Sequence, residues 1–254
     1  MPTLKLIGLG LSAKFVTREA IDEISKCNVV LFESYTSLSC DINLDFIKFL
    51  NKNVIIVDRK FIENNIKEII KLLKEKEDVC IVTIGDPMIA TTHVSLIVEV
   101  KDKGYNFKVI PGISVHCYII SKSMLSSYKF GKSVTITYPY NNKIDTTPYD
   151  VIYDNFIRGL HTILYLDLKE DKIMTAKEAV ELLIEMEKIK KQGLVSDDRI
   201  IIVGQRLGCD DEEVVALRLK EVFNYKFKEP PHIIVFPTDK LHFMEVEALK
   251  CLMK

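Results

Sequence analysis

The first half of the chain alternates short apolar runs with stretches of helical periodicity, and that alternation leaves few folds open. Apolar runs at residues 4–8, Val29–Glu33, Val54–Val57, 79–84 and 107–110 read as strands. Between them Ala20, Ile21, Ile24 and Cys27 keep helical spacing behind Thr17, which is placed to cap. Ile62, Ile66, Ile69, Ile70 and Leu73 do the same along a face rich in Lys and Glu, predicting one further helix. Strand runs this apolar need cover on both faces, which helical crossovers supply in a mainly parallel sheet. The fold class is α/β.

The texture changes near residues 126–132. Beyond it, strands are expected at 133–138, Thr162–Leu166, 200–203 and His232–Phe236, with a polar loop over 141–148. Helices are expected at Ala176–Lys190 and 241–253. A linker over 125–132 divides the chain into two α/β domains, 1–127 and 128–254.

Lys and Arg total 35 against 36 for Asp and Glu, so no overall positive field draws the protein to a phosphate backbone. Nucleic acid is not an expected partner. The six cysteines include no C-x-x-C pair and no histidines stand at H-x-x-x-H spacing, so no zinc site is expected. Cysteines within apolar periodic segments are read as small hydrophobes. The apolar run over 4–11 is too short to span a bilayer and carries no leader-like flank, so a cytoplasmic, membrane-free protein is expected.

Only 10 of 254 residues are glycine, about half the usual ~7%, yet glycines stand at the ends of three expected strands. The first turn is Ile7-Gly8-Leu9-Gly10-Leu11-Ser12-Ala13. It fits G-x-G-x-x-A after a strand, and Glu33 ends the next strand, as in a dinucleotide-binding turn. That motif needs a helix whose N-terminal amides meet the pyrophosphate, and here helical periodicity starts only at about Thr17. The second turn lies in Thr83-Ile84-Gly85-Asp86-Pro87-Met88-Ile89-Ala90-Thr91-Thr92-His93, and the third in Val109-Ile110-Pro111-Gly112-Ile113-Ser114-Val115. Ligands bind outside the carboxyl ends of strands in open α/β sheets, and a backbone without Cβ lets a ligand approach. Three such turns outline one crevice; equally, Asp86 and Pro87 are ordinary turn residues and Ser114 an ordinary helix cap.

Other motifs carry less. Gly131-Lys132-Ser133 lacks the preceding glycine of a phosphate-binding loop and leads into a strand. The acidic run Asp210-Asp211-Glu212-Glu213 lacks calcium-loop spacing and reads as a solvated turn. His161 and His242 read as packing or surface residues, and no nucleophile–base set assembles from local signatures.

Six strings in order carry a resemblance: IGLGL at 7–11, ESYTS at 33–37, GDPMIATTH at 85–93, YKFGKS at 128–133, RGLHT at 158–162 and PPHI at 230–233. With these the sequence resembles the diphthine synthases, within the tetrapyrrole-methylase-like class of S-adenosylmethionine-dependent methyltransferases. GDP-x-x-ATTH and RGLHT together are the specific pieces. The resemblance implies two α/β domains of the tetrapyrrole methylase type, with the cofactor S-adenosylmethionine in the interdomain cleft. It implies a homodimer that methylates elongation factor 2, at the amino group of a 3-amino-3-carboxypropyl group built on a histidine, three times in the archaeal type. The family's cofactor contacts map onto Leu11, Asp86, Ile89, Ser114, Val115, Leu166, Leu207 and His232. The chain departs from relatives at Ser12-Ala13-Lys14-Phe15-Val16, where they carry acidic residues, and at Pro111-Gly112-Ile113-Ser114, where they often read H-A-P-S.

Methyl transfer from a sulfonium to an amine needs in-line alignment more than acid–base help, which suits a chain without a recognisable triad or metal set. Two other readings stay open: a methylase of a small tetrapyrrole, and a catalytically idle cofactor-binding protein.

Overall fold

A computed structural model describes residues 1–33, 35, 38–169 and 172–254. Ser34, Thr36 and Ser37 of the ESYTS string lie outside the described residues. The chain divides into two compact units, Met1–Val115 and His116–Lys254.

The first unit runs β1 (Thr3–Gly8), α1 (Arg18–Lys26), β2 (Val29–Glu33), α2 (Leu44–Leu50), β3 (Val54–Val57), α3 (Arg59–Asn64), α4 (Ile66–Lys76), β4 (Asp78–Thr83), α5 (Val94–Asp102) and β5 (Asn106–Ile110). Its strands form one sheet in the order β3-β2-β4-β1-β5, with every described pairing parallel. Successive side chains of a strand point to opposite faces, and both faces are covered over the central strands β1, β2 and β4. Leu4 and Leu6 of β1 pack with Val79 and Ile81 of β4 against Ile69 and Leu73 of α4. Ile7 joins Cys80 and Val82 in a second cluster with Ala20 and Ile24 of α1. This two-sided cover is why the strands read as continuous apolar runs. Lys5 is buried yet paired, its Nζ 2.7 Å from Asp78 Oδ2 and 2.9 Å from Glu23 Oε2.

Local signals set the helix starts. Thr17 Oγ1 accepts the Ala20 amide at 3.1 Å, so α1 begins at Arg18 as its spacing predicts. The single helix expected over 62–73 is two helices. Asp58 starts α3 by accepting the Phe61 amide at 2.7 Å, and the chain breaks at Asn65 before α4 resumes the periodicity. The cysteines also depart from expectation: Cys27, after α1, and Cys80, in β4, form a disulfide. Their apolar setting, read from sequence as the mark of free thiols, is equally that of a buried cross-link.

The second unit continues α6 (Val115–Ser123), begun at the last residue of the first, into β6 (Val134–Ile136), α7 (Thr147–Ile157), β7 (Thr162–Leu166), α8 (Ala176–Lys190), β8 (Ile200–Gln205), β9 (Glu213–Arg218), α9 (Leu219–Val222), β10 (His232–Phe236) and α10 (Phe243–Leu252). The sheet order is β6-β7-β10-β8-β9, mixed in direction, with β10 antiparallel to both neighbours. Tyr149 and Ile152 of α7 and Val180 and Leu183 of α8 build its core over Ile201, Val203 and Ile234. The acidic run is only partly a solvated turn. Glu212 accepts the Gly208 amide at 2.9 Å and the Tyr118 hydroxyl at 2.7 Å, and Glu213 opens β9. Among the described residues no helix is long and apolar enough to cross a membrane.

Candidate functional site

Strand order decides what the three glycine turns become. β1 lies between β4 and β5, and the registers Gly8↔Thr83 and Ile7↔Ile110 bring the three carboxyl ends level. The turns leave the sheet side by side and touch. Gly10 and Gly85 exchange backbone hydrogen bonds, Gly10 N to Gly85 O at 3.1 Å and Gly85 N to Gly10 O at 2.8 Å. A Cβ on Gly8 would stand 2.5 Å from the Gly112 nitrogen and 2.6 Å from the Gly85 oxygen. At Gly8 the close neighbour is therefore another turn, rather than the ligand that the sequence reading supposed. Gly85 differs: its φ is +83° and no heavy atom lies within 4 Å of where its Cβ would be, so the space beside it is open.

Asp86 ties the second turn to the third. Its Oδ1 accepts the Met88 amide at 2.8 Å, shaping the turn, and its Oδ2 accepts the Gly112 amide at 3.1 Å. Thr91 Oγ1 donates to the Pro87 carbonyl at 2.5 Å, and His93 Nδ1 lies 2.7 Å from the same oxygen. His93 Nε2 in turn lies 2.9 Å from Glu33 Oε2, with both side chains buried. Burial alone would lower the His93 pKa, but the Glu33 carboxylate and the Pro87 carbonyl outweigh it and hold the imidazole above its ordinary value. The sequence showed His93 only as the last letter of a string. A histidine six residues after a proline, with a glutamate ending an inner strand, was the available signal.

In the first turn the chain makes a short 3-10 segment, Ala13–Phe15, before α1, so no helix N-terminus faces the glycines. This is the geometry that argued against a dinucleotide turn. The Ala13 amide donates to Asp41 Oδ1 at 2.9 Å. Leu11 is buried, and the hydroxyl of Ser12 is buried without a hydrogen-bond partner among the described residues. A buried polar atom without a partner is costly. Together with the open side of Gly85, it fits turns that receive a small polar ligand. Ile89 is exposed at the tip of the second turn, and Ser114 is buried at the end of the third. Of the eight expected contacts, Leu11, Asp86, Ile89 and Ser114 thus share the carboxyl end of one sheet, with Val115 next in the chain at the start of α6.

The other three share one end of the second sheet. Leu166 ends β7, Leu207 follows β8, and His232 starts β10, whose registers Ile234↔Leu164 and His232↔Gln205 set those ends together. The His232 ring is fully engaged: Nδ1 accepts the Ala176 amide at 3.1 Å and Nε2 donates to the Lys228 carbonyl at 2.8 Å. Burial pushes its pKa down, in keeping with a neutral ring of fixed tautomer. Any ligand contact at this position falls to the backbone. Residues adjoining two expected contacts also meet, His116 Nδ1 lying 2.7 Å from the Tyr165 hydroxyl, where burial lowers the imidazole pKa.

The profile of the Tetrapyrrole (Corrin/Porphyrin) Methylases matches residues 3–222, which take in the glycine-turn sheet and most of the second sheet. The chain belongs to that family. Within it, the chain is 55% identical to the diphthine synthase of Saccharolobus islandicus over 98% of both chains. It is 38% identical to that of Methanocaldococcus jannaschii, again over 98% of both. A crystal structure of a diphthine synthase superposes with a TM-score of 0.88 at 31% identity, covering 99% of this chain and 96% of that one. The particular branch to which the chain belongs is therefore the diphthine synthases.

Proposed function

We propose that the protein is an S-adenosylmethionine-dependent N-methyltransferase of diphthamide biosynthesis. Its substrate is elongation factor 2, methylated at the amino group of the 3-amino-3-carboxypropyl-histidine, three times to give diphthine. The observation that carries this reading is the 55% identity to a diphthine synthase along 98% of both chains. We further propose a cytoplasmic homodimer. Leu11, Asp86, Ile89, Ser114 and Val115 contact the cofactor, joined by Leu166, Leu207 and the backbone of His232.

When bound, S-adenosylmethionine supplies an electrophilic methyl group on sulfur. The chain's own task is alignment, and fixing two reactants in a near-attack arrangement can lower a barrier by roughly 7–11 kcal/mol. The backbone-to-backbone turns provide the rigidity this requires. Asp86 sets the second turn against the third through the Met88 and Gly112 amides. Ser12 offers the ligand a hydroxyl already withdrawn from water. The substrate amine attacks unprotonated, and water takes the proton it sheds.

Labelled S-adenosylmethionine incubated with elongation factor 2 bearing the carboxypropyl-histidine tests the reading. Label is expected on the factor. Label on a tetrapyrrole instead would assign the protein to small-molecule methylation, and cofactor binding without any transfer would make it a binding protein.

A further inference from the structure

Glu33 and His93 are 60 residues apart in the chain and meet at the floor of the second turn, with 1% exposure each. Their protonation can be deduced from geometry. A carbonyl oxygen only accepts, so His93 Nδ1, 2.7 Å from the Pro87 oxygen, carries hydrogen. Nε2 lies 2.9 Å from Glu33 Oε2, shielded from water, at an angle too steep for a directed hydrogen bond and close enough for an ion pair. Two electron-rich atoms at that distance repel. The arrangement therefore favours a second proton on the ring, as imidazolium beside the carboxylate. Among the described residues no hydrogen bond of good geometry reaches either Glu33 oxygen; the Tyr35 hydroxyl and the His93 ring beside the carboxylate are what offset its burial.

The surrounding groups do not replace that proton. Tyr35 adjoins Glu33, and its hydroxyl is pushed up by burial and then by the carboxylate. Arg59, from α3, lies over the Tyr35 ring with its guanidinium carbon 5.5 Å from the centroid. Glu63, also from α3, adds negative charge that favours a protonated His93. The pair acts on one atom of consequence, the Pro87 carbonyl oxygen, which precedes the exposed tip carrying Ile89 and follows Asp86.

We propose that Glu33 and His93 are positioning residues for the cofactor: the ion pair they form locks the Pro87 carbonyl and with it the 86–90 turn. This rests on the reading of Asp86 and Ile89 as cofactor contacts. As pH rises and the proton leaves the ring, the attraction to the carboxylate is lost, the turn loosens, and affinity for S-adenosylmethionine falls. Because His93 is held above its ordinary value of 6.5, the fall sets in on the alkaline side of that value.

Glu33→Gln isolates the effect. A glutamine amide donates to the Nε2 of a neutral His93, so the variant keeps the Pro87 contact without the extra proton. Calorimetric titration with S-adenosylmethionine between about pH 6 and pH 9.5 compares it with the wild type. The cofactor's own α-amino group, titrating near ~8, affects both alike. The wild type is expected to lose about tenfold in affinity relative to Glu33→Gln across that range, equivalent to ~1.4 kcal/mol. His93→Ala, checked for folding by circular dichroism, is expected to bind about tenfold more weakly at every pH. Parallel pH profiles for wild type and Glu33→Gln would overturn the proposal, whatever His93→Ala does. Should the wild type not bind S-adenosylmethionine, the cofactor reading fails by itself. The pair is then judged from nitrogen NMR of the His93 ring in the ligand-free protein, where titration as an isolated imidazole would overturn it.

Discussion

Gly112 lies so close to Gly85 that a Cβ on it would stand 2.1 Å from the Gly85 carbonyl oxygen. The same atom would be 2.7 Å from the carbonyl carbon of Gly8 and 2.8 Å from the nitrogen of Gly10. All of these are backbone atoms of other turns, which cannot swing aside as a side chain can. The glycines therefore do different jobs, and substitution separates them.

Gly112→Ala is expected to destabilise the protein by about 3 kcal/mol or more, since overpacking against backbone forces the turns apart. Gly85→Ala meets no atom but must hold φ near +83°, which costs an L-residue roughly 1–2 kcal/mol. Urea unfolding of the two variants should show the larger loss at Gly112. Equal losses would mean that the turns do not pack as described.

Asp86→Ala removes the acceptor of two amides from different turns. Hydrogen bonds to a charged group contribute about 1.5–3 kcal/mol each, so cofactor affinity should fall at least about tenfold. Asp86→Asn keeps one good acceptor and should lie between wild type and Asp86→Ala. Calorimetry of both variants checks the order; an unchanged affinity in Asp86→Ala would remove the residue from the site.

In the second unit, Glu245 is buried and accepts from the Ser126 amide, the His242 amide, Lys129 Nζ and His161 Nε2. Burial would raise its pKa, but Lys129 and the amide and imidazole donors outweigh it and bring the carboxyl down to about 2. A depressed carboxyl contributes stability that is fully present above its unfolded value of 4.5 and lost as pH falls toward about 2. His161 acts in the same direction from a higher pH: burial lowers its pKa, so the unfolded chain gains a proton first below about 6.5. Stability measured by denaturant should fall from pH 6.5 downward, most steeply below 4.5. Glu245→Gln should flatten the acid limb.

The Cys27–Cys80 disulfide closes a loop with a sequence separation of 53. By loop-closure entropy such a link contributes up to about 4 kcal/mol. The double variant Cys27→Ala/Cys80→Ala is expected to unfold at lower temperature than wild type in scanning calorimetry. An unshifted midpoint would show that the two sulfurs are not joined in solution.

Much of the first unit was legible because β2 and β4 are apolar almost throughout and α1 and α4 each carry a clear helical period. Ala176–Lys190 was legible for the same reason, helped by Thr175 and Glu178, which cap each other's amides. Where two influences competed, the reading slipped. The break at Asn65 hides within an uninterrupted apolar period, and β9 hides because its first residue closes an acidic run. α7 starts inside a segment whose Asn, Asp and Pro residues read as loop, with Pro148 compatible with a helix only in its first turn.

The candidate site divides in the same way. Gly85-Asp86-Pro87 at the end of an apolar strand is a local signal, and the chain alone announced a turn there. That Asp86 reaches Gly112, that Gly8 needs no side chain because another turn occupies its place, and that Glu33 meets His93 were decided only by strand order. The sequence determined strands, caps and turns, since these depend on residues a few positions apart. Only the tertiary structure, by setting β1 between β4 and β5 and β2 beside β4, determined which polar atoms meet. Burial then makes those meetings consequential, because a buried carboxylate or amide must find its partner within the protein.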